Sequence, residues 1–124
     1  GLELGPRPEG APHEAWAAHA AAVRSAVTDE ETLLATYDSF FGPTTLADTL
    51  LSFYRFDLIV HAWDIQRAAG NDLELSDTEL AFLETCIPSW GDIFYQDGIC
   101  KRPVEVPDDA DRQTRVLALT GRRC

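Results

Sequence analysis

The stretch from Thr44 to Ala69 constrains this chain more than any other, because it reads as one long helix that is apolar on nearly every side. Leu46, Leu50, Leu51, Phe53, Tyr54, Phe56, Leu58, Ile59, Val60, Trp63 and Ile65 leave little room for a solvated face. A helix of that kind belongs inside a packed protein. One stripe interrupts the pattern: Asp57, His61 and Asp64 stand at i, i+4 and i+7 and share a face. Carboxylates and an imidazole among so many apolar neighbours call for a metal ion or an internal hydrogen-bond network.

Residues four apart on a helix have Cβ atoms roughly 5–6 Å apart, so Asp57 and His61 can reach one ion. The spacing is that of the paired histidines in helical zinc motifs. Imidazole nitrogen with carboxylate oxygen suits zinc first, and also nickel, iron or manganese. Two ligands do not complete a site, and the same residues read equally as an Asp–His hydrogen bond among helices. Asp64 can orient His61 or pair with Arg67. Trp63 reads as core. His19 is a weak candidate for a third ligand, and His13 reads as solvated.

Around this stretch the chain punctuates itself clearly. Gly1 to Gly10 reads as a loop with prolines at 6 and 8. Ala11 to Val27 reads as an alanine-rich helix with Trp16, Ala20, Val23 and Val27 on its apolar face. Leu33 to Phe41 carries β-favouring residues and ends at Gly42-Pro43, which predicts a short extended piece or hairpin arm. Thr44 or Thr45 caps the central helix, and Gly70-Asn71 stops it. Ser76 and Glu79 form a capping box for a helix running to about Tyr95, with Leu80, Leu83, Ile87, Trp90 and Phe94 inward. Pro88 should kink or split it. Asp108 or Asp109 opens a last helix, Ala110 to Leu119, with Arg122 and Arg123 as favourable cations beyond it.

The chain has 124 residues, which bounds it to a single domain of modest core. Its formal charge of −11 argues against nucleic acid and anionic membranes as partners. No apolar run is long enough for a membrane span, and residues 1–12 do not read as a signal peptide. The three cysteines, Cys86, Cys100 and Cys124, match no disulfide or zinc framework, which points to a reducing, cytoplasmic setting. Cys86 falls in an apolar helical pattern and reads as core.

The run Asp57-Leu-Ile-Val-His61-Ala-Trp63-Asp64-Ile-Gln-Arg67-Ala resembles the signature of the actinobacterial DinB-like proteins, which are related to the N-terminal domain of mycothiol-dependent maleylpyruvate isomerase. Phe41-Gly42-Pro43, Val104 to Ala110 and Arg115 to Arg122 resemble that family too, so the likeness covers about Ala11 to Arg122. It implies an all-α fold, an up-and-down four-helix bundle that binds one divalent metal through three side chains. Two of those carry over to Asp57 and His61. The third, a histidine on an earlier helix, does not. With no methionine in the chain, the resemblance suggests an N-terminally truncated sequence, the C-terminal two-thirds of a bundle, inactive alone; the alternative is a divergent member that recruits His19 or has lost the metal. Family chemistry implies a metal-dependent thiol transferase or isomerase acting with a small thiol such as mycothiol. A bundle short of a helix would expose an apolar stripe, so self-association, as into a homodimer, or poor solubility is expected. The other class of function is a non-catalytic binding or assembly bundle in which the Asp57–His61 pair is structural.

Overall fold

The structure, a computed structural model, describes residue 6 and residues 9–40 and 42–123. The readings placed on residues 1–5, 7 and 8, on Phe41 and on Cys124 lie outside the described residues. The chain is mostly helical, as expected, with one small hairpin. It falls into two compact units, Gly1–Leu50 and Leu51–Cys124. No helix among the described residues is long and apolar enough to cross a membrane.

In the first unit, α1 spans Pro12–Ala26, with proline at its start where a missing N–H costs nothing. The short α2, Glu30–Leu34, follows, capped by Asp29, whose carboxylate accepts from the Thr32 amide. The expected hairpin is present: β1, Thr36–Ser39, pairs antiparallel with β2, Gly42–Thr45. Gly42 and Pro43 therefore begin a strand instead of closing one. Proline is tolerated there because it lies on a two-stranded ribbon, where one N–H of each residue pair needs no partner. The Tyr37 hydroxyl lies 2.6 Å from that of Thr49, tying β1 to the first helical turn after β2. The expected apolar face of α1 is not buried; Trp16 is 73% exposed.

The central segment is helical but not one regular helix. Thr45 caps α3, Leu46–Thr49, by accepting from the Asp48 amide. A five-residue π-helical stretch, Leu50–Tyr54, comes next, and then α4, Arg55–Ala68. The wider turn shifts the phase of the side chains that follow it. Nor is the segment buried all round. Phe56, Ile59, Val60 and Trp63 are inside, whereas Leu51, Tyr54, Leu58 and Ile65 are exposed. The reason is that α4 packs on the rest of the second unit along one side only. Its end follows the sequence signals: Gly70, at φ 79°, takes the left-handed conformation that a side chain would resist, and the amides of Gly70 and Asn71 return to the carbonyls of Arg67 and Gln66.

The partner helix α5, Asp77–Trp90, begins at the expected capping box. The Ser76 hydroxyl accepts from the Glu79 amide, and the Glu79 carboxylate accepts from the Ser76 amide. Helical geometry passes through Pro88 and breaks instead at Gly91, where a 3-10 turn, Gly91–Tyr95, takes over. The last helix, α6, Arg112–Ala118, starts later than expected because Asp111, not Asp108 or Asp109, supplies the cap to the Thr114 amide. Gln113 secures the linker, accepting from the Leu75 amide and donating to the Leu73 carbonyl.

Leu83, Leu117 and Val60 are the innermost side chains of this unit. At one end of the core Trp90 stacks on Phe53 and meets Phe56 edge-on, both at 4.9 Å between ring centres. Such contacts add to simple area burial. Cys86 lies in the core, as expected, and burial pushes its thiol pKa up.

Replacing Ser76 by Ala should destabilise the second unit by about 1 kcal/mol in urea denaturation. The hydrogen bonds from Ser76 hold the Glu79 carboxyl below its usual range. A folded-state value below the unfolded one stabilises above the unfolded pKa and loses that contribution as the pH falls through the folded pKa. The gap in denaturation midpoint between the parent chain and Glu79→Ala should therefore be present at neutral pH and shrink below about pH 4.

Candidate functional site

Asp57, His61 and Asp64 do lie along one side of α4, but at the surface and not among buried side chains. Asp57 is exposed, the His61 side chain is 61% exposed and Asp64 35%. The buried reading of the stripe is corrected here: the apolar residues that would have enclosed it, Leu58 and Ile65, themselves face outward.

The Asp–His contact also differs from the one considered from sequence. His61 Nδ1 lies 3.0 Å from the Asp64 carboxylate, one turn later, and not against Asp57. Asp64 in turn does not pair with Arg67, which reaches Asp72 instead. Asp64 is gripped by Arg122, whose Nε and terminal nitrogen donate to its two oxygens at 2.7 and 2.6 Å. This fork fits a planar guanidinium to a carboxylate and fixes both. The hydrogen bond from Arg122 is the main reason the Asp64 carboxyl sits below the usual carboxylate range. The same bond raises Arg122, and part of that guanidinium is sheltered.

These contacts settle which nitrogen of His61 carries the proton. An ionised carboxylate can only accept, so Nδ1 must donate. In the neutral ring the lone pair then lies on Nε2, on the far side of the imidazole from Asp64. A histidine held this way by a carboxylate is aimed.

Arg122 owes its position to Gly121. The end of α6 turns back against Lys101 and Arg102, and a Cβ on Gly121 would stand 2.5 Å from the Lys101 Cβ. Its φ of 76° also lies in the region that favours glycine. The Val104 amide bonds the Ala118 carbonyl beside it. Cys100 sits half-buried near the same turn, its Sγ 3.5 Å from the Thr120 carbonyl that Arg122 also contacts. Burial pushes the Cys100 thiol up, Arg122 opposes this and the charge of Asp57 adds to it.

Sequence reasoning missed Arg122 and Cys100. Arg122 was read as a helix-end cation, and nothing local reveals a partner 58 residues away. His19 lies on α1, within the first unit. Among the described residues, no group of three or more His, Cys, Asp or Glu side chains is placed to hold a metal. Of Asp57, His61 and Asp64, Asp64 is committed to Arg122.

A hollow of about 580 Å³ lies between the end of α4 and the start of α6, lined by Trp63, Arg67, Leu73, Arg112 and Gln113 among others. Its arginines are already paired, Arg67 with Asp72 and Arg112 with Asp77 and Glu84. Comparison with known protein families, with characterised proteins and with solved structures finds no match to this chain.

Asp64→Asn and Arg122→Met, combined in a double-mutant cycle, should show a coupling of about 1 kcal/mol, between that of an exposed ion pair and that of a sheltered charged hydrogen bond. Gly121→Ala should cost more than about 1 kcal/mol by urea denaturation, since it adds both a clash and an unfavourable φ.

Proposed function

We propose that the second unit is a divalent-metal-binding module of a helical-bundle protein, with Asp57 and His61 as its ligands. Asp64, clamped by Arg122, is the group that aims the imidazole. The observation that supports this reading is the His61 Nδ1–Asp64 contact at 3.0 Å, which leaves Nε2 free one turn above Asp57. An imidazole nitrogen and a carboxylate oxygen are a donor set that suits zinc, with nickel, iron and manganese as alternatives. The pair supplies two donors, and water or another molecule fills the remaining positions.

In this reading α4 and α5 are two members of an up-and-down four-helix bundle of the DinB-like kind. When bound, the ion would supply the Lewis acidity that ionises a small thiol of the mycothiol type, as a thiol transferase or isomerase requires. The chain's own part is to present Asp57 and His61 on an open face, where a small molecule can approach. Arg122 and Asp64 contribute by fixing the ring, not by touching the substrate.

A second reading, a non-catalytic binding or assembly module, rests on a specific observation. Asp57 and His61 both face solvent, beside a row of exposed apolar residues. There the polar pair would be the wet edge of an interaction surface.

Calorimetric titration with zinc separates the two. The metal reading expects one ion per chain, with binding abolished by His61→Ala and weakened by Asp57→Ala. Asp64→Asn, which leaves both ligands in place, should weaken it roughly 10- to 100-fold. Unchanged binding in His61→Ala would sink the metal reading and leave the assembly module.

A further inference from the structure

The outer side of α4, with the π-helical stretch that leads into it, carries a row of apolar side chains. Leu51, Tyr54, Leu58 and Ile65 are 64%, 57%, 72% and 68% exposed, and Ala62 is exposed between the last two. From Tyr54 onward the steps run four, four and three residues, the spacing that lines side chains along one edge of an α-helix, while Leu51 lies in the wider π-helical turn before it. All five belong to the second unit. We propose that this row is the seam of a homodimer, in which α4 packs antiparallel on α4 of a second copy about a two-fold axis at Leu58.

The register is what points to a second copy. Tyr54, which leads into α4, and Ala62 are each four residues from Leu58. Antiparallel pairing about Leu58 therefore sets Leu58 against itself and the large Tyr54 against the small Ala62 of the second copy, with Leu51 and Ile65 at the two ends of the seam. The bulkiest member meets the smallest, as interdigitated packing needs. A two-fold interface has to be self-complementary in this sense, with each contact made twice.

Size and charge agree with that occupant. Four large side chains, each more than half open, present several hundred Å² of apolar surface, more than a lone soluble protein usually leaves uncovered. With the flanking residues, this approaches the ~800 Å² per partner of a standard interface. The seam itself holds no carboxylate, imidazole, ammonium or guanidinium. Each copy carries −11, so the rest of the surface repels, and added salt should tighten the pairing.

Light scattering and sedimentation of the whole chain should show a monomer–dimer equilibrium that shifts toward dimer with salt. Leu58→Asp, at an exposed position that the fold does not use, should keep the parent circular dichroism and weaken the dimer at least about 100-fold, since one substitution removes the central contact from both copies. Register is tested by disulfides in a Cys100→Ser, Cys124→Ser background, where the remaining Cys86 is buried. Leu58→Cys should cross-link to itself, and Tyr54→Cys should cross-link to Ala62→Cys only when the two are mixed. A chain that stays monomeric up to submillimolar concentration overturns the proposal, as does a dimer unaffected by Leu58→Asp. A Leu58→Cys thiol shielded from reagent in a monomer would also overturn it, by assigning the row to a contact within one chain. The zinc titration is independent of all these outcomes.

Discussion

One side of one helix carries the packing of the second unit. Phe56, Ile59, Val60 and Trp63 are the residues of α4 that face inward, and they meet a core built on Leu83 of α5 and Leu117 of α6. Burying a side chain of this size is worth on the order of 1.5–3 kcal/mol. Losing this face would remove the main apolar contact that α4 makes within the unit. Everything polar on α4 is arranged around that choice of side. Once these four residues point in, Leu58 and Ile65 must point out, and Asp57, His61 and Asp64 fall along the border between the two.

At that border electrostatics does what burial cannot. A half-exposed aspartate pair of ordinary kind would contribute little. Here the forked geometry of Arg122 fixes the carboxylate, and the carboxylate fixes the ring, so a surface imidazole acquires a defined direction. The chain of constraint runs from Gly121, which alone permits the close turn against Lys101, through Arg122 and Asp64 to His61. A reactive or ligating group at a surface needs such support more than a buried one does, because no packing holds it.

Much of this was legible residue by residue, where the signal was local. Ser76 with Glu79 announced the start of α5, Thr45 the start of α3, and Gly70-Asn71 the end of α4, because capping chemistry is settled within a few residues. The hairpin was signalled by β-favouring residues near a glycine. The exposed side of α4 was not legible, because periodicity says which residues share a face and says nothing of how many sides will be covered. The delayed start of α6 shows the same limit: three aspartates, Asp108, Asp109 and Asp111, offer equivalent caps, and packing of Val116 and Leu117 selects among them. The grouping of Asp57, His61 and Asp64 was readable from spacing, while the partner that organises it lies in another part of the chain altogether.

That distance has a consequence for the order of events during synthesis. The bond between Asp64 and Arg122 closes a loop of 58 residues, and local helices form far faster than long loops close. A nascent chain paused on the ribosome after α5 can hold α4 as a helix, yet its imidazole swings freely. Only when residue 122 clears the exit tunnel does the ring acquire its direction. The fixed direction of the ring therefore depends on a residue 58 positions beyond the carboxylate that holds it.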